Sequence, residues 1–136
     1  MTSDIQLVAM RVARPTLDLD RIRAFYEDVV GLTLLWSFAD HDGFDGAIFG
    51  LPDERAQLEI VRSPYGEVPA PTNEDVLVLY QRNPSAAEVL VARLRSAEAA
   101  EITDDPTLNP YWPRNGARAF RDPDGYGLVV VVAADP

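Results

Sequence analysis

Phe120-Arg121-Asp122-Pro123-Asp124-Gly125-Tyr126-Gly127 runs straight into Leu128-Val129-Val130-Val131-Val132. Asp-Pro-Asp-Gly is turn chemistry. Pro123 presets φ, Gly125 supplies a position open to positive φ, and the Asp side chains can accept from nearby backbone N–H groups. The β-branched run behind it reads as a strand buried on both faces. With Ala117 to Phe120 as its partner, the chain therefore closes on a β-hairpin.

Working back from that hairpin, the same order of elements occurs twice. Gln6 to Ala13 reads as a strand. Asp18 or Asp20 can cap a helix in which Ile22, Phe25, Tyr26 and Val29/Val30 recur on one side, and Gly31 is its natural stop. Thr33 to Ala39, Phe44 to Leu51 and Ala56 to Val61 are three further strands, separated by the polar loop Asp40–Gly43 and the turn Pro52–Arg55. Arg62 to Asn73 has no periodicity and reads as a linker. Asp75 to Tyr80 begins a second round: strand, helix capped by Asn83 or Ser85, a short strand Glu101 to Asp104, a proline-bracketed loop holding Tyr111 and Trp112, and the closing hairpin.

This repeat predicts an α+β fold of two βαβββ modules. Module one covers residues 5–62, the linker 63–73 and module two 74–134, in a single domain spanning 1–136. Neither half covers its own sheet, so the modules are expected to form a curved mixed sheet around a cup, with helices outside.

Bulk composition narrows the function. Twelve basic against 22 acidic residues give a net charge of -10, the wrong sign for nucleic acid. There is no cysteine, hence no disulfide, thiolate site or Cys nucleophile. The single histidine, His41, excludes a site of two or three imidazoles within one chain. Met1-Thr2-Ser3-Asp4 does not resemble a secretory leader, and no apolar run approaches a bilayer span. The expectation is a cytoplasmic protein with a small-molecule ligand and no membrane partner.

The segment Asp18 to Leu32 (DLDRIRAFYEDVVGL) together with Asp122 to Tyr126 (DPDGY) resembles the glyoxalase/bleomycin-resistance/extradiol-dioxygenase group, the vicinal oxygen chelate superfamily. PAPTNEDVLVLY (Pro69 to Tyr80) and NPYW (Asn109 to Trp112) look like a glyoxalase-like branch of it. The resemblance covers nearly the whole chain and implies paired βαβββ modules, often in a homodimer. It also implies four metal-ligand positions in the metal-dependent members, which fall here on Arg11, Glu59, Asp75 and Val129. Only Glu59 keeps a usual ligand type. Asp75 stands where His is common, and Arg11 and Val129 cannot coordinate a metal.

Strand alternation puts Gln57 and Glu59 on one face of AQLEIV and Arg11 on the corresponding face of the first strand. If Asp75 also faces inward, one guanidinium sits among carboxylates where relatives hold a metal. The expected site is Arg11, Trp36, Gln57, Glu59, Asp75, Tyr111 and Trp112, with no metal, or Glu59 as its ligand if one binds. His41, Arg14 and Tyr65 are lesser candidates. The expected function is metal-free binding of an aromatic or cationic ligand. Two alternatives stay open. One is a metal-dependent lyase, isomerase or dioxygenase; the other is a metal-free enzyme using Glu59 or Asp75 as base, with Arg11 stabilising an oxyanion.

Overall fold

The computed structural model describes residues 4–134. The chain divides into two compact units, one ending at Val68 and the other beginning at Pro69. Each is built on one sheet and one principal helix.

In the first unit the strands are β1 (Met10–Pro15), β2 (Thr33–His41), β3 (Phe44–Gly50) and β4 (Ala56–Arg62), in the order β1-β4-β3-β2. β2, β3 and β4 run antiparallel through short turns, whereas β1 pairs with β4 in parallel. The crossover that makes this parallel pair is helix α1 (Leu19–Ala24), continued by a π-helical turn from Phe25 to Val30. Its start is doubly fixed. The Asp18 carboxylate accepts from Arg21 N–H, and the buried Thr16 hydroxyl accepts from Asp18 N–H, both at 3.2 Å. Its end is Gly31 at φ +84°, where the N–H groups of Gly31 and Leu32 both donate to the Tyr26 carbonyl. Ile22, Phe25 and Tyr26 are buried on the sheet side, with the Tyr26 and Phe49 rings 5.9 Å apart.

Two of the boundaries that differ from the sequence reading have a clear physical reason. The first strand begins at Met10 rather than Gln6, because its hydrogen bonds require β4, and β4 begins at Ala56, the register partner of Met10. The polar loop Asp40–Gly43 is shorter than expected. β2 continues to His41, which pairs with Phe44 across Asp42 (φ +53°) and Gly43 (φ +88°). Two successive positive φ values at Asp-Gly match the twist of the flanking strands.

The second unit repeats the plan with β5 (Val76–Gln81), α2 (Pro84–Ser96), the short α3 (Tyr111–Arg114), β6 (Arg118–Arg121) and β7 (Gly127–Val132), in the order β5-β7-β6. Again the outer pair, β5 and β7, is parallel and the hairpin pair antiparallel. The weak strand expected at Glu101–Asp104 is a single bridge from Glu101 to Phe120, and the loop after it carries α3. Asn83 caps α2 through Ala86 N–H at 2.8 Å, and Ala87, Leu90, Val91 and Leu94 are its buried residues. Pairing thus yields an α+β fold with two mixed sheets, one per unit. No helix among the described residues is long and apolar enough to cross a membrane.

The closing turn behaves as its chemistry demands. The Asp122 carboxylate is buried and accepts from the N–H groups of Asp124 (2.9 Å) and Tyr126 (3.0 Å), and Gly125 sits at φ +92°. This pins the register of β7 and with it the placement of Val129.

Candidate functional site

In the first unit, register separates the two sheet faces. Leu58, Ile60, Ala47 and Phe49 turn toward α1 and are buried. Residues paired across the sheet share a face, so Gln57, Glu59, Ile48, Gly46, Trp36, Phe38 and Arg11 lie together on the other. A Cβ at Gly46 would stand 2.3 Å from Cζ of Phe38, whose ring lies over it, so any side chain there would force that ring to move.

At the centre of this face the Arg11 guanidinium donates from Nε to Gln57 Oε1 at 2.9 Å and from Nη1 to Glu59 Oε1 at 3.2 Å. The same guanidinium lies 6.0 Å from the centroid of Trp36, which is 46% exposed. The Arg11 side chain is 42% exposed and that of Glu59 19%. The pair is reachable by a solute without being dissolved in bulk water. An ion pair at this exposure contributes at most about 1 kcal/mol to stability, so its arrangement matters more for recognition than for folding.

Gln57 is held at both ends. Its Nε2 donates to the Glu54 carbonyl at 2.8 Å, which leaves Oε1 facing Arg11. Glu54 adopts φ +64°, uncommon for a residue with a side chain. The sequence reading missed Glu54, because a Pro-Asp-Glu-Arg turn carries no glycine to signal a left-handed position.

The other expected residues lie in the second unit. Asp75 is one residue short of β5, and its Oδ2 accepts from the N–H (2.8 Å) and hydroxyl (3.3 Å) of Thr72. Its carboxylate thus closes its own turn. Val129 is fully buried in β7, within a cluster of Ala117 and Ala119 against which Val76, Val78, Ile102, Leu108 and Trp112 pack. Trp112 is therefore part of an apolar core, with Tyr111 edge-on to it at 5.0 Å and 57% exposed. Among the lesser candidates, His41 closes β2 edge-on to Phe38 and Tyr65 is exposed beside Phe44.

A second polar arrangement escaped the sequence reading. An open depression of about 530 Å³ in the second unit is lined in part by Asn73, Asp105, Thr107 and Arg121. Its side chains are bonded mainly to one another: Asp105 accepts from the Thr107 hydroxyl (2.7 Å) and N–H (2.9 Å), Asn73 (3.0 Å) and Arg121 (3.4 Å). The Thr107 hydrogen bonds, followed by Asn73 and the Arg121 charge, hold the Asp105 carboxyl below its ordinary value. Composition could flag these residues only as turn formers.

The donor chemistry at the four family positions does not fit a divalent ion. Arg11 offers no lone pair, Glu59 is engaged by Arg11, Asp75 by Thr72, and Val129 is an apolar side chain in a core. Among the described residues no group of three or more His, Cys, Asp or Glu comes together.

Comparison with known proteins places this architecture in a class. The fold is similar to a glyoxylase/bleomycin resistance protein/dioxygenase domain from Frankia sp. EAN1pec (20% identity, TM-score 0.70, covering 98% of this chain and 100% of that one). It is also similar to TnmS3, an antibiotic binding protein from Streptomyces sp. CB03234 (21% identity, TM-score 0.67, covering 98% and 100%). These likenesses show a glyoxalase-like fold of βαβββ modules. Nearer in sequence is YycE of Bacillus subtilis, an uncharacterised protein 35% identical over 128 residues, covering 93% of this chain and 89% of its own. The crystal structure of a Bacillus subtilis YycE protein superposes with TM-score 0.87 at 32% identity, covering 99% and 96%. The YycE-like N-terminal domain matches residues 10–61 and the YycE-like C-terminal domain residues 74–132. The chain belongs to the YycE-like family.

Proposed function

We propose that this protein binds a small organic ligand without a metal, on the face of the first sheet that carries Arg11, Trp36, Gln57 and Glu59. The observation that carries the reading is Arg11 bonded to both Gln57 and Glu59 beside an exposed indole. A guanidinium at a family ligand position occupies the carboxylate that a metal would need. The Trp36 ring supplies an apolar, planar platform, and the ion pair supplies orientation. TnmS3, an antibiotic binding protein, is an instance of a binding role on the same fold. The acidic composition favours a cationic ligand, whereas Arg11 at the centre of the face favours the aromatic alternative.

Titration with Zn²⁺, Mn²⁺, Ni²⁺ and Mg²⁺ by calorimetry tests the metal-free reading. The expected result is no stoichiometric binding. Nanomolar binding that disappears in Glu59→Gln overturns it. A fluorescence screen of aromatic solutes against the wild type and Trp36→Phe tests the platform, with quenching expected in the former and lost in the latter.

A further inference from the structure

We infer that Arg11 anchors an oxyanion on the ligand, a carboxylate or similar planar acceptor attached to the ring that lies on Trp36, and that Gln57 is its positioning residue. This rests on the ligand-binding reading above and names the chemical class of its ligand. A guanidinium carries five N–H donors. Two are used by the protein, Nε to Gln57 and one N–H of Nη1 to Glu59. The remaining N–H of Nη1 and both of Nη2 have no acceptor among the described residues, and the side chain is 42% exposed.

Nη1 and Nη2 thus each keep an N–H donor to offer as a fork to the two oxygens of a carboxylate. Arg11 and Glu59 neutralise each other at 3.2 Å, but the guanidinium is the more exposed partner, 42% against 19%, so an incoming ligand group meets its donors before it meets the carboxylate. The overall charge of -10 acts against anions only at long range, and at physiological salt it is screened beyond about 8 Å. With its guanidinium 6.0 Å from the Trp36 centroid, Arg11 meets a substituent at the edge of a ring stacked on the indole.

The orientation of the fork is built in. Glu54, in a left-handed conformation, presents its carbonyl to Gln57 Nε2. That bond turns Gln57 Oε1 toward Arg11 Nε and fixes the plane of the guanidinium. Gln57 acts on the ligand through Arg11.

Three matched probes test this: 2-naphthoate, 2-naphthamide and 2-naphthylmethylammonium, titrated against ¹⁵N-labelled full-length protein while the Trp36 indole N–H is followed. The expected order is naphthoate tightest and the ammonium weakest. Arg11→Met and Arg11→Lys should each weaken naphthoate by about tenfold or more, the latter because it keeps the charge and loses the fork. Naphthamide should change much less. Gln57→Leu should weaken naphthoate more than naphthamide and leave the melting temperature in place, a split that loss of folding would not produce. Tightest binding by the ammonium, with the Trp36 signal moving, overturns the oxyanion assignment and leaves the binding face standing. Failure of all three probes to move the Trp36 indole overturns both.

Discussion

Val129 and Asp75 show how differently single positions carry a family pattern. Val129 was legible: a β-branched run after a fixed turn has to be a central strand, and a valine there cannot hold a metal. Its full burial against Ala119 and Trp112 adds an energetic consequence. Restoring a carboxylate by Val129→Glu would bury an unpaired charge, so the variant should lose on the order of 3 kcal/mol or more at neutral pH. Urea denaturation measures this, and a loss under about 1 kcal/mol would show that the position is open to water. Asp75 was less legible. One residue decides whether its side chain joins a strand face or closes a turn, and an Asp before a β-branched run serves either geometry equally well. The Thr72 hydrogen bonds make it a turn residue.

At the scale of elements, the helices, hairpins and repeat followed from periodicity and turn residues, because those signals are local. The onset of β1 did not, because it is set by its partner β4, more than forty residues away. The network around Asp105 was hidden for a related reason: Thr107 is a near neighbour in the same loop, but Asn73 and Arg121 reach it from two separate segments. Its depressed pKa makes a prediction whose sign can be worked out. A carboxyl bound more tightly as the anion in the folded state stabilises the fold above its unfolded pKa, near 3.8, and loses that contribution as pH falls through the lower folded value. Asp105→Asn should therefore be destabilising at pH 7, with a difference from wild type that shrinks below about pH 4. Thermal melts across pH 2 to 7 check this, and a constant difference across the series would contradict it. Asp45 beside Arg62 and Glu88 beside Arg118 are depressed by their hydrogen-bonded partners and add to the same acid limb.

For the whole molecule, the conspicuous surface is the approach to β1. Ile5, Leu7, Val8, Met10 and Val12 are each more than half exposed, on and before β1, an edge strand of its sheet among the described residues. Exposed apolar edges of this kind mark association sites. The segment from Ile5 to Ala13 holds one charge, Arg11, in a chain of net -10, so we propose a second copy, meeting it through the same weakly charged edge, as its occupant. Sedimentation should accordingly give about twice the chain mass of 15.0 kDa, and Val12→Lys should shift it toward monomer; a monomeric wild type at micromolar concentration would contradict the assignment. The central claim concerns the face bearing Arg11 and Trp36, and one experiment addresses it most directly: ¹⁵N spectra of the full-length protein with 2-naphthoate, recorded with and without EDTA. The account predicts a saturable shift of the Trp36 indole that EDTA does not alter. A shift that EDTA abolishes and added divalent metal restores would contradict it.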